Sequence, residues 1–178
     1  YDRIDIIKLI LEKLNDYSYT NSSNESLLQL AISYENDDII EFLFDKDINI
    51  NNQESEFGIT SLHQCIVLQK NKLFKRLVEK NGDINQSDFM GNNCLHYAVI
   101  EKNMEIINYI FEKDINFNLS NYKGEIPLHI YLQNDFNDKD EILIKLIKKS
   151  KLNIQNNNGL TCLHILIETG LWKESWIK

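Results

Sequence analysis

The chain has 178 residues and a formal net charge of −8, from 27 acidic against 19 basic side chains. That balance argues against a general nucleic-acid binder, whose affinity rests on neutralising phosphates. Six glycines, one proline and an apolar fraction of 43% exclude collagen-like and Pro/Gly-rich disordered chains, and leave a globular domain with a core of its own.

In chain order, residues 2–14 (DRIDIIKLILEKL) read as the second half of a helical repeat, a partial unit over 1–20. The opening on Tyr1 rather than Met predicts an array cut from a longer protein. A full unit follows at about 24–57, with a first helix over Ser26-Leu27-Leu28-Gln29-Leu30-Ala31 and a second helix starting at Asp37-Asp38, where carboxylates offset the helix dipole. The next unit, 58–90, opens on Gly58. Thr60 caps a helix holding Leu62, His63 and Cys65, and a second helix is apolar at Leu73, Leu77 and Val78. Asp83-Ile84-Asn85 then leads through Asp88 to Gly91, a polar turn. Unit 91–123 repeats this with Asn93 as cap, Leu95, His96 and Ala98 in the first helix, and Ile106, Ile107, Ile110 and Phe111 in the second. Unit 124–158 places Pro127 at the first helical position, which needs no N–H, ahead of Leu128, His129 and Tyr131. A partial unit, 159–178, has Gly159, a Thr161 cap, Leu163, His164 and Leu166.

Each histidine follows a leucine, at 63, 96, 129 and 164, and each stands five residues after a glycine. The spacings are 33, 33 and 35. In the first full unit Gln29 stands for the histidine and Asn24 for the glycine. A period of 33 with T-P-L-H-x-A marks the ankyrin repeat. Here it reads TSLHQC (60–65), NCLHYA (93–98), IPLHIY (126–131) and TCLHIL (161–166), and the chain resembles the ankyrin-repeat family over nearly its whole length. The resemblance implies an all-α solenoid of stacked helix-turn-helix units with β-hairpin-like loops, forming one domain over 1–178. Leu62, Leu95, Leu128 and Leu163 belong in its core, with Ala31, Cys65 and Ala98. Tyr131 and Leu166 need more room than the family's alanine. Two departures stand out: about one extra residue in Gln53–Phe57, and about two in Asn134–Asp140, which makes 132–141 the least regular connection.

The four histidines do not make a metal site. Each belongs to a different unit, and helices packed ~8–10 Å apart cannot bring nitrogens to one point at ~2.0–2.1 Å. In ankyrin repeats this histidine hydrogen-bonds the turns of its own and the adjacent repeat. Cys94 and Cys162 lie two units apart, beyond the ~7 Å a disulfide spans. Cys65 and His63, two apart on a helix, do not face each other as nucleophile and base do. The odd cysteine count without C-x-x-C suits a reducing compartment. No nucleotide, metalloprotease or hydrolase motif is present. Asp138, Asp140 and Glu141 read as a helix start, and Lys145, Lys148, Lys149 and Lys151 as a solvated face, with an acidic partner or lipid headgroup as the alternative. No apolar run reaches the ~20 residues of a membrane span. Heavy use of Asn, Ile and Lys points to an AT-rich genome such as that of a virus, protist or intracellular bacterium.

The expected function is non-catalytic binding of a partner protein, with no cofactor, nucleic acid or membrane insertion, in the cytoplasm (host cytoplasm or virion for a viral chain). Adjoining domains of a longer chain are a further possible partner. The resemblance implies binding on the concave side, through hairpin tips and exposed first-helix positions. The tip positions are Glu56, Phe57 and Ile59, then Phe89, Met90 and Asn92, then Tyr122, Lys123 and Glu125, then Asn157, Asn158 and Leu160, and the helix positions are Tyr34, Gln64, Leu68, Tyr97, Ile100 and Glu101. Aromatic residues at three successive tips exceed what a polar turn requires and are favoured interface anchors; packing on a neighbouring hairpin is the other account of them. The alternatives to a free-standing module are a part of a larger enzyme or ubiquitin-ligase adaptor, and a structural element of a virion or cytoskeletal assembly. Trp172 and Trp176 share a helix face, as core contacts for more of the array or as a docking site.

Overall fold

A computed structural model describes residues 3–134 and 140–170. They hold ten helices and no strand, with one isolated bridge between Thr20 and Ser26. The chain divides into two compact units, 1–89 and 90–178. The first contains α1 (Arg3–Leu14), α2 (Leu27–Ser33), α3 (Asp37–Phe44), α4 (Ser61–Val67) and α5 (Asn71–Glu79). The second contains α6 (Cys94–Ile100), α7 (Met104–Phe111), α8 (Pro127–Gln133), α9 (Asp140–Lys149) and α10 (Cys162–Glu168).

Seven-residue helices such as α2, α4, α6 and α8 are far below the ~12–15 residues at which an isolated helix becomes marginal. Caps define their ends and packing holds them. Ser26 and Asn93 accept from backbone N–H groups of the first turn, and Thr60 does so at a longer 3.5 Å. Past the other end, Glu35, Gln69 and Lys102 adopt left-handed φ values of 53°, 56° and 51°, which turn the chain back into the partner helix. Asn36 and Asn103 then cap that partner through Ile39 and Ile106 N–H, both at 3.1 Å. In the first unit α2 packs on α3 and α4, α4 on α5, and α1 on α3. In the second, α6 packs on α7 and α8, and α8 on α9 and α10.

The apolar stripes fill these contacts. Leu28, Ile32, Leu43, Leu62, Ile66, Phe74 and Leu77 are buried in the first unit, and Leu95, Ile106, Ile107, Ile110 and Leu128 in the second. Ala31, Cys65 and Ala98 lie in the core as expected, and Tyr131 is buried there too. Phe74 is fully buried although the expected stripe omitted it, while Val78 is only half-buried.

One expectation fails. Leu163 is 63% exposed, and His164 beside it is exposed as well. No described helix follows α10, so the face that the equivalent Leu95 and Leu128 bury has nothing described upon it. Thr161 stands at the N-cap of α10, where its hydroxyl meets His164 Nδ1 at 2.7 Å and its N–H donates to the same nitrogen at 3.2 Å. Most of the 134–140 connection, the side chain of Asp140, and Trp172 and Trp176 lie outside the described residues.

Candidate functional site

Polar residues at fixed places in the repeat set the geometry of the tips. His96, fully buried, accepts from Asn93 N–H at Nδ1 (3.2 Å), which leaves the proton on Nε2 to meet the Glu125 carbonyl of the next repeat at 3.1 Å. Gln29 does the same work in the first unit. Its Oε1 accepts from Ser26 N–H (2.9 Å) and its Nε2 donates to the Ile59 carbonyl at 2.7 Å, the position equivalent to Glu125. His129 keeps the local half of this pattern, accepting from Ile126 N–H at 3.1 Å. Burial holds its pKa below the ordinary imidazole value, against the opposing pull of the Ile154 carbonyl and Glu125. Ile126 has no side-chain acceptor, so this helix start is held by the histidine and by Pro127.

Four of the tips are closed by a side-chain oxygen that gathers backbone N–H groups. Asn121 Oδ1 accepts from Lys123 and Glu125 (2.9 and 3.0 Å), Asn156 Oδ1 from Asn158 and Leu160 (both 3.0 Å), and Asn21 Oδ1 from Ser23 and Glu25 (both 3.0 Å). At the tip with the extra residue the collector is Glu54. Its longer side chain reaches Glu56, Phe57 and Ile59 N–H at 2.7, 2.7 and 2.9 Å. Burial pushes this carboxyl up, but the backbone N–H groups together outweigh it and hold its pKa below the usual value. Successive tips are tied by a single backbone bond: Ser55 N–H to Ser23, Phe89 to Phe57, Tyr122 to Met90 and Asn157 to Lys123, all 2.8–2.9 Å.

The first unit leaves Tyr34 (81%), Phe57, Leu68 and Phe89 exposed, with Ile59 and Gln64 half-buried. Gln64 Nε2 donates to Ser33 Oγ at 3.2 Å. Phe89 packs on a neighbouring hairpin, one of the two accounts given for the tip aromatics. One face of its ring lies 2.5 Å from where a Cβ on Gly58 would stand, yet 47% of the residue stays open. Gly58 is therefore required twice, by its φ of +72° and by this ring. Val67, exposed on the same short helix as Gln64, escaped the sequence reading.

In the second unit Met90, Ile100, Tyr122 (70%) and Lys123 are exposed, and Asn92, Tyr97 and Glu101 half-buried. A cleft of about 330 Å³ gathers Met90, Asn92, Ile100, Tyr122, Lys123 and the tip residue Glu125 with two residues the sequence did not single out, Ile130 and Gln133. Their signal was available, because Ile130 and Gln133 recur at helical spacing on α8. A second, more apolar cleft of about 430 Å³ lies along Leu128, Leu132, Ile147, Leu152, Leu163 and Leu166.

The basic cluster has intramolecular contacts. Lys145 pairs with Glu141 at 2.9 Å and lies 5.9 Å from the Phe111 ring, and Lys149 is equally far from Phe117. Burial pushes the Cys65 thiol up to about 12 and the Cys162 thiol to about 11, which keeps both protonated at neutral pH. Among the described residues no group of three or more His, Cys, Asp or Glu side chains could hold a metal ion, and no helix is long and apolar enough to cross a membrane.

Short paired helices joined by tips that bond one to the next define a helical-repeat protein. Residues 46–121 match the family model for ankyrin repeats (3 copies), and that segment is an array of ankyrin repeats. Ankyrin repeats are in general protein–protein interaction modules, typically without catalytic activity. Among curated proteins none matches the chain.

Proposed function

We propose that this chain is a non-catalytic interaction module that binds a partner protein through its hairpin tips and the exposed positions of its first helices. The observation that carries this reading is the exposure of large apolar side chains at tip and first-helix positions: Tyr34 and Phe57 in the first unit, Met90, Ile100 and Tyr122 in the second. Folding does not require them, because the tips are closed by Asn and Glu side chains and by backbone bonds. Exposed aromatic and Met residues beside a cleft are the usual composition of an interface core.

The test compares proteins captured by the wild-type chain with those captured by Met90→Ala/Tyr122→Ala and by Lys148→Ala. A specific partner should be lost with the tip variant and retained with the lysine variant. Equal capture by all three would refute the tip surface.

A further inference from the structure

We propose that the cleft of the second unit receives one arginine or lysine side chain of the partner, with the cation on the Glu125 carboxylate and the stem along Met90, Ile100 and Tyr122. This rests on the interaction reading above and names what the cleft recognises.

Glu125 is only 9% exposed and lines the cleft. Its Oε1 accepts from Gln133 Nε2 at 3.0 Å, whereas among the described residues Oε2 has no hydrogen-bond partner and no cation pairs with the carboxylate. A carboxylate sheltered in a cleft is screened less than one at the open surface, so an incoming cation gains more attraction here. The group is also held in place before anything binds. Its N–H donates to Asn121 Oδ1 (3.0 Å), and its carbonyl accepts from Asn121 N–H (3.0 Å) and His96 Nε2 (3.1 Å). A fixed acceptor reduces the ordering cost of binding. The apolar wall suits the methylene stem, and the open Tyr122 ring offers its face to a cation.

Charge on the wider molecule points the same way. The net charge of −8 attracts a basic partner at long range. Lys123 stands exposed at the rim and can turn to solvent; its like charge disfavours a second cation beside the first, so one basic residue within an apolar stretch fits better than a polybasic run.

The test is selection of a random phage-displayed peptide library on the immobilised 178-residue chain, followed by titration calorimetry with the selected peptides as synthetic probes. We expect the peptides to share one arginine or lysine flanked by apolar residues. Replacing that arginine by citrulline, or that lysine by norleucine, should weaken binding to the wild type by about tenfold or more. The same replacement should have no effect on Glu125→Gln, and Tyr122→Ala should weaken every peptide. The peptide-side change needs no altered protein, so a misfolded variant cannot mimic the result. Peptides without a basic residue, or an equal replacement effect on wild type and Glu125→Gln, overturn the inference; if Tyr122→Ala still weakens them, the interaction reading survives. Failure of Tyr122→Ala to weaken any peptide, or failure to select any peptide, overturns both.

Discussion

Replacing Glu54 by alanine tests whether one side chain accommodates the extra residue of its tip. The carboxylate accepts three backbone N–H groups at 2.7–2.9 Å. Hydrogen bonds to a charged group are worth about 1.5–3 kcal/mol each where both partners are shielded. Glu56 and Phe57 are exposed, so their N–H groups regain water after truncation, whereas Ile59 is half-buried. The net loss is therefore that of roughly one charge-assisted bond, about 1.5–3 kcal/mol in urea unfolding at pH 7 followed by circular dichroism. The pH dependence supplies a second reading. The folded pKa lies below the ordinary 4.5, so the folded state binds fewer protons than the unfolded one in acid. The stabilisation is complete above about 4.5 and is lost as the pH falls through the folded value. The deficit of Glu54→Gln should accordingly shrink in that range. Deleting Glu56 together with Glu54→Asn shortens the tip to the N-x-x-G pattern of Asn121–Gly124 and should recover most of the loss. A Glu54→Ala protein within 0.5 kcal/mol of wild type, or a Glu54→Gln deficit that persists unchanged into acid, would refute the reasoning.

The same physics yields two further expectations. Gln29→Ala removes the partner of the buried Ser26 N–H and of the part-buried Ile59 carbonyl, whereas Asn52 Nδ2 keeps the Asn24 carbonyl, and should cost about 1–3 kcal/mol; Gln29→His, which keeps the first two partners, should stay within about 1 kcal/mol in the same unfolding measurement. Gln69 is exposed with a φ of 56°, so Gln69→Gly should raise stability by about 0.5–1 kcal/mol, read as a higher urea midpoint.

The repeat was legible because its period is carried by residues whose chemistry is local. Leu-His at intervals of 33, a glycine five residues earlier, and Thr60 or Asn93 as caps each fix one bond within a unit, and the structure shows those bonds at His96 and Asn93. Exposure at Tyr34, Phe57, Leu68, Met90, Ile100 and Tyr122 also followed from the frame, since these residues lie on the open side of a short helix or in the one or two places before a turn glycine. Leu163 was misread for the same reason. Its burial depends on what stacks upon α10, and a motif cannot report the presence of a neighbour. Asn21, Asn121 and Asn156 were missed because asparagine is abundant in this chain, and compositional bias masked a position-specific role three residues before the turn glycine or its substitute Asn24. Glu125 was placed at a tip by the frame, but its burial leaves no periodic trace and was not foreseen.

These roles also explain how one fold can carry an adaptable surface. The bonds that hold a tip run inward from Asn121 and His96 to backbone groups, and they do not involve the side chains of Tyr122 or Lys123. Tyr122 contributes its N–H to Met90 and its carbonyl to Asn157 Nδ2, which any residue but proline could supply. The side chains of Tyr122 and Lys123 are thus nearly uncoupled from these tip bonds, so a substitution at either should leave the fold of the unit in place. Glu125 is the exception within the second unit. Its main chain is a rung of the repeat and its side chain lines the cleft, so the residue that fixes the geometry of the tip also sets the charge of the cleft.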